Sequence, residues 1–463
     1  MEGPGFEDPG PPIPTPASRV RRALTVAVVL TLVAAMVGLA FVSGRGVVTT
    51  PPPAQPAATI ATLTTGFSRI AVVGADGSLS TTDALGGSLV RYGEAGIRFS
   101  FPAWSPDGTR IAVVGEGQDG AAVYIFTTPV DGASPAAPAV AYSDADHPPF
   151  YLYWSPDGRA LTFLTTEPEP DGLALRLVPA DASGPATIIR HGSPMYWTWA
   201  DPAHLLVHSG GEGLAGFFGE VRPDGVATEP TAILPGGFRV PAVSDDGRFR
   251  AYVTQGDGTS QPIVVETRER TESHTLGVFG TAALAFGPGS DALAIVAAAE
   301  PRGETSVPVG PLRLMDASSG QVRTLLSSTV IGAFWAPDGR TIAAIEVPAP
   351  GDDNVAATGR AVLVSNASSG TAAAAGTKLR ISFVNVESGA IRSRSSFALS
   401  DLFIDQILPY FDQYALSHRV WSADGASIAL PVVDDGVERV KVIQADGSGA
   451  RAVADGVAGF WSP

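Results

Sequence analysis

Side chains able to do chemistry are sparse in this chain of 463 residues, which has six histidines and no cysteine. His204 and His208 lie four residues apart in an apolar run, so a β-strand would place both on one face and allow a shared metal ion. A two-histidine site without a nearby carboxylate is a weak metal signal, and histidine is commonly half-buried for structural reasons. We therefore predict a structural role for both and no metal site.

Acidic residues recur in pairs and in short turns, where they could hold a cation. None of the pairs has the spacing of an EF-hand calcium loop. Aspartate is common in tight turns because its side chain accepts local backbone hydrogen bonds, so we interpret these residues as turn formers. They are Asp144/Asp146, Asp245/Asp246, Asp352/Asp353 and Asp434/Asp435, together with Asp107, Asp157, Asp338 and Asp424.

Motifs of the common enzyme classes are missing from the sequence. It has no Gly-x-Ser-x-Gly nucleophile elbow, no His-Glu-x-x-His zinc motif and no Walker phosphate loop. The lack of cysteine also excludes disulfides, thiolate metal sites and cysteine catalysis. We predict no catalytic residue and no cofactor, and the motifs leave open whether the chain is an enzyme.

The strongest pattern is a repeated anchor residue followed by a short turn. The anchors are Trp104, Trp154, Trp199, Val243, Phe286, Trp335 and Trp421, with an eighth at Trp461. Their spacings are 50, 45, 44, 43, 49, 86 and 40 residues, which indicates a repeat architecture. In Ser105-Pro106-Asp107-Gly108 the residue types suit a type I turn. The tryptophans are interpreted as packing between repeats rather than as a ligand cage.

Each repeat contains apolar runs joined by Gly-containing turns, the pattern of four short antiparallel strands and thus of one propeller blade. Residues 68–92 resemble a blade without its first strand, and residues 457–463 resemble a first strand without its blade. Pairing the two would close the ring and leave no open sheet edge. We predict an all-β fold, a β-propeller of eight four-stranded blades, with seven as the alternative.

The Trp-Ser-Pro-Asp-Gly units of residues 66–463 resemble the WD40-like propeller repeats of TolB and of dipeptidyl-peptidase-IV and prolyl-oligopeptidase relatives. The resemblance implies a propeller fold. The peptidase relatives carry their catalytic Ser-Asp-His on a separate hydrolase domain, whose nucleophile motif does not occur in this sequence. Their activity is therefore not carried over, and a propeller hosts many unrelated functions.

Residues 23–43 are predicted to form a transmembrane helix. Ala23–Val42 has no charged residue and would span about 30 Å as a helix, the thickness of a bilayer core. Arg19, Arg21 and Arg22 precede it, so the positive-inside rule places residues 1–22 in the cytoplasm as a disordered tail. Residues 44–65 would link the membrane to an extracytoplasmic propeller. A cleaved signal peptide is the alternative, although its apolar stretch is usually about 7–15 residues.

The net charge of −16 argues against nucleic acid as a partner, because nucleic-acid binding needs a basic face.

The 86-residue spacing between Trp335 and Trp421 contains two insertions, at about 348–379 and 400–415. The first is small and polar. The second has an apolar stripe at helical spacing, which Pro409 is expected to kink or split. We predict that Phe403, Ile407, Tyr410 and Phe411 are apolar anchors for a partner. The alternative is that the stripe covers the channel mouth as ordinary core.

These features favour a membrane-anchored, extracytoplasmic propeller that serves as a protein-interaction or ligand-binding scaffold of the cell envelope. Two alternatives stay open. One is a propeller enzyme with its site at the central channel, and the other is an accessory subunit of a transport or export system.

Overall fold

The computed structural model describes residues 68–463, except 94, 130–132, 169, 171, 229–232, 257, 259, 302–305 and 349–377. The predicted tail (1–22), transmembrane helix (23–43) and linker (44–65) lie outside the described residues, as does most of the first insertion. Within the part that is described, no helix combines the length and apolar character needed to cross a bilayer. The described chain is mostly β-strand in several antiparallel sheets, which is consistent with a propeller.

Three sheets have four strands each. The first is ordered β28 (Ala458–Trp461), β1 (Ile70–Val73), β2 (Leu79–Thr82) and β3 (Val90–Tyr92). The second is β4 (Arg98–Trp104), β5 (Arg110–Gly117), β6 (Gly120–Thr127) and β7 (Ala139–Ser143). The third is β8 (Pro149–Trp154), β9 (Ala160–Thr166), β10 (Leu173–Pro179) and β11 (Thr187–His191).

Two sheets have three strands. They are β12 (Met195–Asp201), β13 (His204–Ser209) and β14 (Phe217–Val221), and β25 (Ser427–Asp434), β26 (Val437–Gln444) and β27 (Ala450–Asp455). A short 3-10 turn, Gly213–Ala215, joins β13 to β14.

The remaining sheet has ten strands because two of its strands are long. Its order is β15 (Ala242–Val243), β16 (Phe249–Val253), β17 (Gln261–Thr267), β18 (Ser273–Phe286), β19 (Ala292–Ala298), β20 (Gly310–Asp316), β21 (Val322–Trp335), β22 (Thr341–Glu346), β23 (Lys378–Asn385) and β24 (Ile391–Ala398). β18 pairs with β17 through its first half and with β19 through its second half. β21 is shared in the same way between β20 and β22, so each long strand ends one repeat and begins the next. β23 begins at Lys378, which makes the first insertion slightly shorter than predicted.

The turns after the anchors have the predicted chemistry. The Gly108 N–H donates to the Ser105 carbonyl at 2.9 Å, and Asp107 accepts hydrogen bonds from the Ser105 hydroxyl and the Thr109 N–H. The same bonds recur in the turns that begin at Ser155, Ser244 and Ser422. This confirms that the aspartates of these turns are structural. Gly108 has a φ of +69°, which favours glycine at the end of the turn.

Four anchor tryptophans join successive repeats by a hydrogen bond. The indole N–H of Trp154 donates to the carbonyl of Ala103, which directly precedes the anchor of the previous repeat. The equivalent bonds run from Trp335 to Ala285, from Trp421 to Phe334 and from Trp104 to Phe460, at 2.9–3.1 Å. The tryptophans therefore pack between repeats, as predicted.

The predicted pairing of the two ends of the repeat region is confirmed. β28 pairs antiparallel with β1, with Ile70 opposite Trp461 and Val73 opposite Ala458. Trp461 is buried, and the Ser462 hydroxyl accepts the backbone N–H of Arg69 at 3.0 Å. The N-terminal edge of β1 is thereby covered.

First strands of neighbouring repeats lie next to one another, as is expected around the centre of a propeller. β28 contacts β4, β4 contacts β8, and β12 contacts β15, which in turn contacts β18. The space that these strands surround is called the central channel below.

Candidate functional site

The second insertion lies inside the central channel. It forms a π-helical turn (Phe403–Ile407), a 3-10 turn (Leu408–Tyr410) and an α-helix, α1 (Phe411–Ser417). Pro409 falls in the 3-10 turn and splits the helix as predicted, because proline has no N–H to donate. α1 contacts the first strands β8, β12, β18 and β21 of four repeats. We call residues 401–417 the plug.

Three of the four predicted anchors face inward. Phe403, Ile407 and Phe411 are 0%, 1% and 3% exposed and belong to the main hydrophobic core. Tyr410 is half-buried and packs against that core. In this structure the first three side chains therefore pack in the core of their own chain, which favours the alternative interpretation, and their contact with a partner stays a prediction.

Two strained aromatic residues hold the plug. Phe101 and Tyr151 each lie three residues before their anchors, Trp104 and Trp154, and adopt left-handed φ values of +52° and +48° at β-bulges. Each such residue costs about 1–3 kcal/mol and persists only where its surroundings require it. Their rings meet the ring of Tyr414 at 5.9 and 5.2 Å. The bulges thus aim both rings into the channel.

Hydrogen bonds fix the backbone of α1 to the channel wall. The Tyr151 hydroxyl donates to the Gln413 carbonyl at 2.6 Å, and the Gln413 side-chain amide donates to the Trp197 carbonyl at 3.3 Å. These bonds connect the plug to β8 and β12, so the plug also ties two repeats together.

A buried serine–histidine pair ends the plug. His418 Nε2 lies 3.3 Å from the Phe101 carbonyl, which can only accept, so this nitrogen carries the proton. His418 Nδ1 then accepts the hydroxyl of Ser417 at 2.6 Å. Burial lowers the pKa of His418 to about 4, so the ring is neutral near pH 7. The pair has the distance of a nucleophile and a base, but both side chains are buried and no carboxylate orients the ring, which indicates a structural role.

Arg239 connects the plug to the segment that precedes β15. Its guanidinium donates to the carbonyls of Pro409 and Ser306 and lies 4.4 Å above the ring of Tyr410. This combination of charge-assisted hydrogen bonds and a cation–π contact is strong when buried. Neither Arg239 nor its contacts were found from the sequence, because the residue lies outside every motif.

Asp412 is a buried carboxyl group inside the plug. It is almost completely buried, and neither carboxylate oxygen has a hydrogen-bond partner of good geometry. Burial raises its pKa, and the nearby Arg239 guanidinium opposes that shift only in part. The neutral acid is therefore favoured more in the folded protein than in water.

The two histidines of the apolar run do not form a common site. His204 Nδ1 lies 2.9 Å from Asp201, which also pairs with Arg268 at 3.1 Å. His208 stacks on Phe238 at a centroid distance of 4.2 Å. Asp201 was not predicted from the sequence as a partner of His204, although it lies only three residues before it. Among the residues that the structure describes, no group of three His, Cys, Asp or Glu side chains could hold a metal ion.

Comparisons with known proteins give similarities in structure only. No family model and no curated protein matches the chain. It is similar to TolB from Acinetobacter baumannii at 13% identity, over 81% of this chain and 68% of that chain, with a TM-score of 0.38. It is similar to an oligogalacturonate lyase in complex with manganese at 13% identity, over 76% of each chain, with a TM-score of 0.41. A prolyl endopeptidase matches at 13% identity, over 77% of this chain and 48% of that chain, with a TM-score of 0.47. TolB and a prolyl peptidase are among the proteins that the repeats resemble.

Proposed function

We propose that the protein is a membrane-anchored, extracytoplasmic β-propeller that serves as a protein-interaction or ligand-binding scaffold of the cell envelope. The observation that carries this proposal is the plug. Its buried side chains fill the space that a channel site would use, and contacts from Phe101, Tyr151 and Arg239 hold it there. Binding is therefore assigned to the outer surface of the ring.

We infer eight blades. Three four-stranded sheets and the sheet of β12–β14 account for four of them. The ten-stranded sheet divides at β18 and β21 into three four-stranded units that share those strands. A bridge between Trp421 and Ile428 supplies a first strand to the sheet of β25–β27, which makes the eighth blade. Eight anchor residues in the sequence support the same number.

The membrane anchor is proposed from sequence. Ala23–Val42 has the length and the lack of charge of a spanning helix, and Arg19, Arg21 and Arg22 favour a cytoplasmic N-terminus. The propeller would then face the exterior of the cytoplasmic membrane, with a protein or envelope ligand as its partner.

Site-specific photo-crosslinking in the native host tests the scaffold function. The probe would replace exposed apolar residues on different parts of the ring, such as Leu85, Leu214 and Val437. A scaffold is expected to give a discrete protein adduct from one of these positions. A probe at buried Phe403 serves as the control and should give none. The proposal would be contradicted if the outer positions gave no adduct and Phe403 gave one. That result would favour a site in the channel.

A further inference from the structure

Two repeats carry the same ion pair at the same place in their fold. In the Trp154 repeat, Arg176 lies opposite Phe163 and pairs with Glu167 at 2.7 Å. Thr165 accepts a second hydrogen bond from the Arg176 Nε at 2.8 Å. Glu167 is the thirteenth residue after the anchor.

The Trp421 repeat has the same ion pair, formed by a lysine and an aspartate. Lys441 lies opposite Leu430 and pairs with Asp434 at 2.9 Å. Asp434 is also the thirteenth residue after its anchor. A basic residue on the third strand and an acid at the end of the second strand thus form a recurrent pair.

The Phe286 repeat keeps the basic residue and lacks its acid. Arg313 lies opposite Ile295, which is nine residues after Phe286, just as Phe163 is nine residues after Trp154. The positions that correspond to Thr165 and Glu167 are Ala297 and Ala299. Neither alanine can accept a hydrogen bond through its side chain.

One edge of the Arg313 guanidinium is buried without a hydrogen-bond partner among the described residues. The residue is 8% exposed, and its Nε and Nη2 atoms have no hydrogen-bond partner. These atoms form the same edge that Arg176 uses for Thr165 and Glu167. Met315, on the same face of the strand, lies in an apolar core. An uncompensated buried cation is costly, and burial lowers the pKa of Arg313 accordingly.

We propose that Arg313 is the centre of a site for a small oxyanion, a carboxylate or a phosphate group, which binds in the place of the missing acid. The Nε–Nη2 edge presents two parallel N–H donors, the geometry that binds such groups in a bidentate manner. Ala297 and Ala299 lack the larger side chains that contact the arginine in the Trp154 repeat, where Thr165 and Glu167 occupy the corresponding positions. The small exposed part of Arg313 is the side from which the anion enters, and the burial of the edge restricts the ligand to a small group.

Thermal unfolding of the full chain in detergent tests this site. Sodium chloride is replaced stepwise by sodium acetate or sodium phosphate at constant ionic strength, and the two salts distinguish carboxylate from phosphate. The wild type should show a saturable rise in Tm with at least one of them. Arg313→Met should lose the saturable part, with affinity weakened by about tenfold or more, whereas Arg159→Met, which removes a largely exposed arginine, should keep it.

Ala299 provides a second test that does not depend on the folding of Arg313→Met. Ala299→Glu should supply the missing acid within the chain, raise Tm in chloride and abolish the response to oxyanions. Ala299→Gln, of similar size, should still respond. An equal rise in wild type, Arg313→Met and Ala299→Glu would be a general salt effect and would overturn the proposal, as would the absence of any saturable response in the wild type. The test is independent of the proposed scaffold function, because it requires no partner.

Discussion

Asp412 gives the plug a pH dependence whose sign can be derived. Its pKa is raised in the folded protein, chiefly by burial, so the folded state binds the proton more tightly than the unfolded state. Its contribution to stability is complete below the unfolded pKa and is lost as the pH rises through the folded pKa. The groups that oppose this shift are the Arg239 guanidinium and, after it, the backbone N–H groups of Gln413, Asp412 and Val240.

We therefore expect Asp412→Asn to be more stable than the wild type near neutral pH and to lose less stability between mildly acidic and neutral pH. Urea unfolding across a pH series measures this. If the free energy of unfolding changed with pH in the same way in both proteins, the Asp412 carboxyl group would not be the source of the pH dependence, which would contradict this prediction.

His418 gives stability a pH dependence of the opposite sign to that of Asp412. Burial lowers its pKa from 6.5 to about 4, so the unfolded state binds the proton more tightly in this window. Stability should fall as the pH drops from 6.5 towards about 4, by up to about 3 kcal/mol. His418→Gln is expected to be less stable than the wild type but to lack this acid-dependent loss, which the same pH series of unfolding curves would reveal. A variant that retains the full acid loss would contradict the assignment.

Phe403 tests whether the stripe is core. The side chain is fully buried, so Phe403→Ser should destabilise the protein by at least about 3–5 kcal/mol, the cost of truncating a buried phenylalanine. Leu416→Ser is the matched control, because Leu416 lies on α1 and is 37% exposed. Calorimetry should find a large fall in Tm for the first variant and a small one for the second. A small fall in Tm of equal size in both variants would indicate that Phe403 is not core and would favour an exposed anchor.

At the scale of elements, the pairing of β28 with β1 is the contact that closes the repeat region. A chain truncated after Gly456 should lose solubility and heat resistance, because the apolar edge of β1 would be exposed. Trp461→Ala should cost about 3–5 kcal/mol on its own, and removal of Pro463 alone should cost little. Unfolding curves of these proteins test the closure. A truncated chain as stable and soluble as the full chain would contradict it.

The elements differ in how far the sequence specifies them. The Ser-x-Asp-Gly turns, the anchor tryptophans and the helical character of the stripe follow from local residue chemistry, and the structure confirms all three. The place of the stripe does not follow, because helical periodicity shows that one face is apolar and not which surface covers it. The roles of Arg239 and Asp412 likewise do not follow from the local sequence. Their importance depends on contacts between residues more than 150 positions apart, as in the bond from Arg239 to Pro409.

At the scale of the whole molecule, the ring and its plug stabilise each other. The plug contacts first strands from four repeats, so it adds long-range connections that a hollow ring would lack. In the proposed function the outer surface binds the partner, and the proposed anchor would hold that surface at the membrane.

The side of the membrane on which the propeller lies tests this account most directly. A reporter that is active only outside the cytoplasm would be fused after Pro463, and a second copy before Met1 would serve as the control. We expect activity for the first fusion and none for the second, and we expect mass spectrometry to find residues 1–22 still present in the membrane-bound protein. Activity of a cytoplasmic reporter after Pro463 would contradict the membrane-anchored scaffold. A mature N-terminus near Phe41, after the small residues Gly38-Leu39-Ala40 that fit a signal-peptide cleavage site, would also contradict it.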